Sequence, residues 1–472
     1  AIGSVRTLQS TNAWEVQEQR DSSSLSQDVQ SNENAARYLI TDINNSSGGA
    51  LWYEAESSRR GAANTGSTVR SVSHFPKVVP GTAVSVSPLP EDQPVSVEPL
   101  RYFGPNYPGG ELYEHQKDNP YRIVMEAPLS TFSIDVDTAS YTNIRRFLGQ
   151  HQLPPRDSVR IEELINYFDY RYPQPSGIDP FSVTVDISEY PGETSHWLAR
   201  IGLKGREAPE RNREAANLVF LIDVSGSMQP SNKLPLIQRS MRYLVNQLRP
   251  DDRVAMMTYA GSARVALQST PVGETAEIVA AIDSLTSGGS THGSAGIRDA
   301  YRIARQHFVS GGINRVILAT DGDFNVGITD RGDLMHLIQN EAKSNVFLTV
   351  LGFGMGNYKD ATLETIADRG NGTYHYVDNF QEAQKIFGTD LTRNLMTIAK
   401  DVKIQVEFNP ARIQAYRLIG YENRKLAAKD FNDDTKDAGE IGAGHTVTAL
   451  YELIPVGAEM ASNVDPRRYQ NE

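Results

Sequence analysis

Between residues 216 and 400 the apolar and polar positions follow two alternating rhythms. Short, largely apolar runs at 217–222, 253–259, 263–267, 314–320, 346–352 and 373–377 read as strands. Stretches with helical spacing separate them, at 231–248, 274–286, 294–309, 332–344, 359–368 and 380–398. In the first of these Leu234, Ile237, Met241, Leu244, Val245 and Leu248 share one face, and Pro235 falls in the opening turn, where its missing N–H is not needed. Runs such as "RVILAT" and "VFLTVL" have no polar face, as expected when helices cover both sides of a parallel sheet. The pattern predicts a doubly wound α/β domain. The short link "AGSA" between the second and third strands leaves no room for a helical crossover, so it predicts a hairpin and one antiparallel strand at a sheet edge.

On either side the rhythm is different. Residues 126–215 predict a strand and short helix in "STFSIDVDTASYTNIRRFLGQ", and a second helix in "RDSVRIEELINYF" with Val159, Ile161, Leu164, Ile165 and Phe168 apolar. Two alternating strands follow, "FSVTVDISEY" and "HWLARIGLKG". Residues 401–472 return to strands with "DVKIQVEF", "RIQAYRLIGYE" and "HTVTALYELIPV". Short strands before and after the α/β segment are expected to pair with each other, which makes that segment an insertion in a small β-rich module. Residues 1–125 are rich in Ser, Asn, Gly and Pro and read as a low-complexity arm or tether, with "ARYLITDI" and "ALWYEA" as short stretches able to dock.

Composition narrows the function classes. The 472-residue chain carries 46 basic and 58 acidic residues, a net charge of −12, which argues against nucleic acid or anionic lipid as the main partner and tolerates cation binding. It has no cysteine, so disulfides, thiolate metal sites and cysteine nucleophiles are excluded. No run approaches the roughly 18 apolar residues that span a bilayer. The chain opens on Ala1 without an apolar signal core, and is expected to be a processed form of a longer, exported precursor.

The candidate chemistry lies at strand ends. In open α/β sheets ligands sit beyond the carboxyl ends of the strands, where strand order reverses. Asp223, Ser225 and Ser227 follow the first strand in "NLVFLIDVSGSM", Ser290 and Thr291 lie in the Gly-rich "SGGSTHGSAGI", and Asp321 directly follows "RVILAT". Two carboxylates and several hydroxyls, without a convergent imidazole, suit a hard cation: Mg²⁺, with Mn²⁺ or Ca²⁺ as substitutes. Neutral hydroxyls leave that charge partly uncompensated, so a partner's carboxylate is expected to complete the shell.

"DVSGSM", the later Thr in "GGST" and "TDG" after a buried strand resemble the metal-ion-dependent adhesion site of von Willebrand factor type A domains. The resemblance implies a metal shell of Asp223, Ser225, Ser227, Thr291 and Asp321, with Thr291 chosen over Ser290 because small residues and an apolar helix face continue through Gly293, Ala295 and Ile297. The flanks, including "LSTFSIDVDTASYTNIRRFL", "AKDVKIQVEFNP" and "DAGEIGAGHTVTALYEL", resemble a bacterial subfamily of exported, often lipid-anchored type A proteins. Against that pattern, the chain has no lipid-attachment cysteine and stops at "RRYQNE", where similar proteins continue.

Other motifs weigh less. A lone D-x-S-x-S is a helix-capping turn, and Thr291 with Asp321 is what favours metal. "DGDFNVGITD" begins like a calcium loop, but its Gly comes one place late and Gly332 replaces the closing acid. "SIDVDTAS" resembles an aspartyl-nucleophile strand end without the matching Lys; Asp135 and Asp137 read instead as caps for the next helix. "GFGMGN" lacks the third Gly of a dinucleotide loop, "RGD" at 331–333 starts a helix, and no H-E-x-x-H occurs. The expected function is non-enzymatic, metal-dependent protein binding in the bacterial envelope, through an acidic residue of a partner. A structural part in a larger envelope assembly, or a metal-dependent hydrolase using Asp135, are the other classes.

Overall fold

The computed structural model describes the backbone of residues 2–10 and residues 110–459, apart from 116, 209–212, 290–293, 323–330, 357, 434, 435 and 437. Its centre is a six-stranded sheet of β6 (Ala216–Asp223), β7 (Arg253–Tyr259), β8 (Ala263–Pro271), β9 (Ile313–Thr320), β10 (Phe347–Phe353) and β11 (Tyr374–Val377), in the order β11-β10-β9-β6-β7-β8. All neighbours are parallel except β7 and β8, the edge hairpin.

The two faces of β6 show why the pattern is apolar throughout. Leu218, Phe220 and Ile222 enter one core with helices α3 (Leu234–Val245) and α4 (Thr275–Asp283). Val219 and Leu221 enter the other with α5 (Ser294–Gln306), α6 (Arg331–Lys343) and α7 (Asp360–Arg369). Successive side chains of a strand point to opposite faces, so a strand between two helical layers is apolar at most positions; the exception in β6, Asn217, is buried and donates to the Ala304 carbonyl at 2.8 Å. A buried ion pair fixes its entry: Asp252, just before β7, accepts from Arg213 at 2.6 and 3.0 Å and from the Ala216 amide at 2.7 Å.

The flanking strands do pair. One antiparallel sheet runs β1 (Ile2–Ser10), β12 (Thr397–Phe408), β3 (Leu129–Ser133), β14 (Lys425–Leu426), with β15 (Gly439–Gly442) also on β12. The other runs β2 (Arg122–Ile123), β13 (Ile413–Ile419), β16 (Thr446–Pro455), β5 (Trp197–Gly205), β4 (Phe181–Glu189). Phe132, Ile404 and Phe408 from the first sheet share a core with Ile201, Tyr416 and Tyr451 from the second, and the Phe408 and Tyr416 rings stack at 4.1 Å. The α/β segment is thus inserted in a β-sandwich built from both flanks. Two further helices, α1 (Ala139–Gly149) and α2 (Ile161–Asn166), lie between β3 and β4. α1 packs on β11, where Thr142 donates to the Tyr376 carbonyl at 2.7 Å and Arg145 to Asp378 at 2.5 and 2.8 Å.

Three expectations are corrected. Residues 2–10, read as part of the arm, form a strand on β12; "ARYLITDI" and "ALWYEA" lie outside the described residues. The helix expected at 380–398 is broken into α8 (Phe380–Gln384), a wide turn at Lys385–Thr389 and α9 (Leu391–Leu395), and β12 starts at Thr397. Asp135 and Asp137 do not cap α1: its N-cap, Thr138, makes no side-chain capping bond, and both carboxylates turn to Arg424.

His375 on β11 is buried where the two units meet, with Thr138 at Nδ1 (3.0 Å) and Thr373 at Nε2 (3.1 Å). Burial, with the charges of Lys385 and Arg315, pushes its pKa down to about 3. The unfolded imidazole takes a proton near pH 6.5 and the folded one does not, so this site's contribution is complete above pH 6.5 and is lost as pH falls towards 3. At pH 5 the loss is about 2 kcal/mol. Denaturant titrations should show a shallower decline between pH 6.5 and 4.5 in His375→Asn; an unchanged slope would refute the assignment.

Candidate functional site

The six-stranded sheet reverses its winding beside β6. The chain goes from β6 to β7 on one side, then returns to β9 on the other. Ile222 is level with Ala319 in that register, so Asp223 and Asp321 leave adjacent strands at the same rim. This is the crevice position that doubly wound sheets offer to ligands.

The geometry after β6 is tight. The Ser225 amide donates to Asp223 Oδ1 at 2.8 Å, and the Ser225 and Ser227 hydroxyls lie 3.0 Å apart. Thr320 Oγ1 faces Asp223 Oδ2 at 3.5 Å and takes the Gly322 amide at 3.2 Å. The loop before α5 is stitched to this turn by backbone bonds, Gly288 N to Val224 O at 2.7 Å and Gly226 N to Gly289 O at 3.1 Å. Thr291, Ser290 and His292 lie outside the described residues, as do Asp323 and Asn325. The structure therefore brings together Asp223, Ser225, Ser227 and Asp321 of the predicted set. Asp223 is fully buried and Asp321 nearly so. Burial raises the Asp223 carboxyl above its ordinary range, the Asp321 charge acts the same way, and hydrogen bonds from Ser225 and Tyr259 oppose the shift.

One participant escaped sequence analysis. Lys233, just before α3, places Nζ 2.9 Å from Asp321 Oδ2 and is itself buried. Its stem lies over Gly354 in "GFGMGN": a Cβ there would come within 2.2 Å of Lys233 Cε, and φ at Gly354 is +75°. The glycine of that motif makes room for the lysine rather than for a dinucleotide. The only signal in the sequence was a Lys at the polar start of an amphipathic helix, which by itself reads as solvent-exposed.

Comparison with known proteins agrees with this architecture. Residues 217–389 match the von Willebrand factor type A domain family, residues 107–200 a family described as von Willebrand factor, and residues 393–472 the family described as uncharacterized protein YfbK, C-terminal. The chain is a bacterial von Willebrand factor type A domain protein with a C-terminal YfbK module. The uncharacterized protein YfbK of Escherichia coli (strain K12) is 46% identical over 369 residues, which cover 77% of this chain and 64% of the relative. The chain thus spans less than two thirds of that relative's length. The uncharacterized protein sll0103 of Synechocystis is 28% identical over 197 residues, 41% of this chain and 45% of the relative. Among solved structures, a von Willebrand factor type A protein from Catenulispora acidiphila is 17% identical over 61% of this chain and 66% of its own, with a TM-score of 0.38. The proximal thread matrix protein 1 from the mussel byssus, with a zinc-occupied MIDAS motif, is 24% identical over 38% of this chain and 45% of its own, with a TM-score of 0.29. The type A domain supports a general protein-binding role.

Within the type A domain the donor set fits a hard divalent ion. It offers carboxylate and hydroxyl oxygens, with the two serine hydroxyls 3.0 Å apart beside Asp223. Lys233 places a positive charge beside Asp321. Breaking a buried pair strands the remaining charge at a cost of about 3 kcal/mol. Lys233→Met should lower the unfolding free energy in chelator by roughly that amount, read from denaturant melts. A change under about 0.5 kcal/mol would show that Asp321 does not depend on the lysine.

Proposed function

We propose that this chain is a non-enzymatic, divalent-metal-dependent protein-binding component of the bacterial envelope, acting in adhesion or assembly. Asp223, Ser225, Ser227, Thr291 and Asp321 would hold the ion, Mg²⁺ foremost and Mn²⁺ or Ca²⁺ as alternatives. A bound ion would supply an open coordination position for a carboxylate oxygen of the partner.

The observation that carries this reading is the pair of serine hydroxyls beside Asp223, one strand from Asp321, at the switch point of the sheet. A helix cap would aim these hydroxyls at free backbone amides, and among the described residues neither Ser225 nor Ser227 does so. The N-cap position of the short turn at Gly226–Met228 is Ser225, with no side-chain capping bond. Two neutral oxygens and two carboxylates at one rim leave a dication incompletely neutralised, which suits capture of a third carboxylate. The negative net charge of the chain is compatible with this only because the attraction is local, within a Debye length of the rim.

A second reading has its own support. β1 lies against the outer edge of β12, so this module already accepts a strand from a remote part of the chain. Strand addition of that kind is a common way of joining proteins, and it favours a structural role in a larger envelope assembly with metal incidental.

Two measurements separate the readings. Calorimetric titration of the full chain with Mg²⁺ should lose one equivalent in Asp223→Ala and in Ser225→Ala/Ser227→Ala. Affinity capture from native envelope extract should recover an acidic partner surface at least tenfold better with Mg²⁺ than with chelator. Equal recovery by Asp223→Ala would sink the metal-dependent reading and leave assembly through the strands.

A further inference from the structure

Lys233 stands where a lysine is not expected. It is the N-cap residue of α3, the helix end where the macrodipole disfavours a cation, and it makes no side-chain capping bond there. It is also buried, although lysines ordinarily keep the ammonium in water. The stem runs over Gly354, where a Cβ would fall 2.2, 2.7 and 2.9 Å from Lys233 Cε, Cγ and Cδ. Tyr376 donates to the Gly354 carbonyl and so fixes the turn against which the stem packs. At the far end Nζ meets Asp321 Oδ2 at 2.9 Å. A packed stem holds the ammonium at that carboxylate, whereas the same side chain in solvent would sample many rotamers.

The consequence is electrostatic. Asp223, Asp321 and Lys233 together carry one net negative charge. A dication held by the two carboxylates leaves this group one positive charge in excess, at a rim where both acids are buried and solvent screening is weak. Repulsion from the ammonium loosens the hold on the ion. The same excess attracts an anion, and one carboxylate from outside brings the sum to zero. Lys233 is therefore the group that leaves the ion incompletely neutralised, and a neutral side chain at 233 removes the excess.

We propose that Lys233 couples the two ligands of the strand-end site: a divalent ion binds weakly to the chain alone and gains affinity when a carboxylate binds with it. This rests on the reading of Asp223, Ser225, Ser227, Thr291 and Asp321 as the metal shell. By linkage, the ion raises the affinity for the carboxylate by the same factor. The partner that fits presents its acidic side chain without a basic neighbour, because a second cation at the rim would restore the excess.

The test is calorimetric titration of the full chain with Mg²⁺, in sodium chloride and in sodium acetate at equal ionic strength. Lys233→Gln removes the charge but keeps an amide donor for Asp321. In chloride it should bind Mg²⁺ at least about tenfold tighter than the native chain. Acetate should tighten Mg²⁺ binding to the native chain, and by a larger factor than in Lys233→Gln. The acetate comparison on the native chain needs no substitution, so it stands even where the variant fails to fold. Equal or weaker Mg²⁺ binding in Lys233→Gln would overturn the proposal and leave the lysine as a structural partner of Asp321. Indifference of the native chain to acetate would overturn it as well. Asp223→Ala separates the coupling from the reading beneath it. If Asp223→Ala loses the Mg²⁺ equivalent and Lys233→Gln gains nothing, only the coupling fails. If Asp223→Ala binds Mg²⁺ like the native chain, or neither the native chain nor Lys233→Gln binds it, the strand-end site and the coupling fail together.

Discussion

The structure depends on five residue pairs. Leu129–Ser133 lies antiparallel to Lys403–Glu407, closing a loop of more than 260 residues that contains the whole type A domain. A loop of that length costs entropy to close, though the cost rises only with the logarithm of length, and it is offset by the sandwich core that closure completes. Phe132 from one strand and Ile404 and Val406 from the other are fully buried in that core. The pairing also decides where Asp135 and Asp137 emerge, because Ile134 donates to the Val402 carbonyl and leaves the next residues against β11.

From this closure it follows that the inserted domain is not tethered loosely. α1 reaches across from the sandwich side to cover the edge strand β11, and Ala139 belongs to the same core as Tyr374 and Tyr376. Arg145 bridges from α1 to Asp378 and Glu382 near α8. An edge strand covered in this way cannot pair with another chain, while the opposite edge, β8, has no strand beyond it among the described residues. The exit from the domain is equally constrained, since α9 gives way to the middle strand of the first sandwich sheet within two residues.

What could be read from the sequence was whatever a local period determines. β7 was predicted at its observed bounds and the remaining type A strands within a few residues, because the central strands are buried on both faces and apolar at most positions. The pairing of the flanks was legible as well, since half-buried strands without partners have nowhere else to go. Local patterns failed where a contact spans the chain. Asp135 and Asp137 have the spacing of caps, yet their cation is Arg424, nearly 290 residues later, in a stretch that reads as a polar turn. The break in the helix expected at 380–398 is similar: its apolar period continues through Ile386, Phe387, Leu391 and Leu395, and all four do enter the core. The wide turn at Lys385–Thr389 re-aims the helix without disturbing that face, so periodicity carried no trace of it. Of the candidate rim, Asp223, Ser225, Ser227 and Asp321 were legible from strand ends, whereas Lys233 was visible only once Gly354 was seen beneath it.

The strand-end rim is joined by packing to the buried carboxylates around Arg160. Gly322, directly after Asp321, has φ of +91°, and a Cβ there would come within 2.7 Å of the Tyr358 ring and 2.9 Å of the Lys359 amide. Tyr358 hydrogen-bonds Tyr374, which donates to Asp360 at 2.8 Å, and Asp360 is held by Arg160. Every member of that path is buried and none has spare volume, so a shift of the Asp321 turn by the width of a methyl group must be taken up along it. Contiguity of this kind transmits a displacement, but couples two equilibria only if some element along it has two arrangements. The segment best suited to that is Phe380–Leu395, where a wide turn joins two short helices between the type A core and β12. Its hydrogen bonds have the wider π-helical spacing, as in Asp390 N to Lys385 O at 2.8 Å, and Gly388 lies where a Cβ would meet the Tyr243 hydroxyl of α3 at 2.5 Å. A change in the length or direction of α3, which begins beside Lys233, would therefore be felt first at that turn and next in β12.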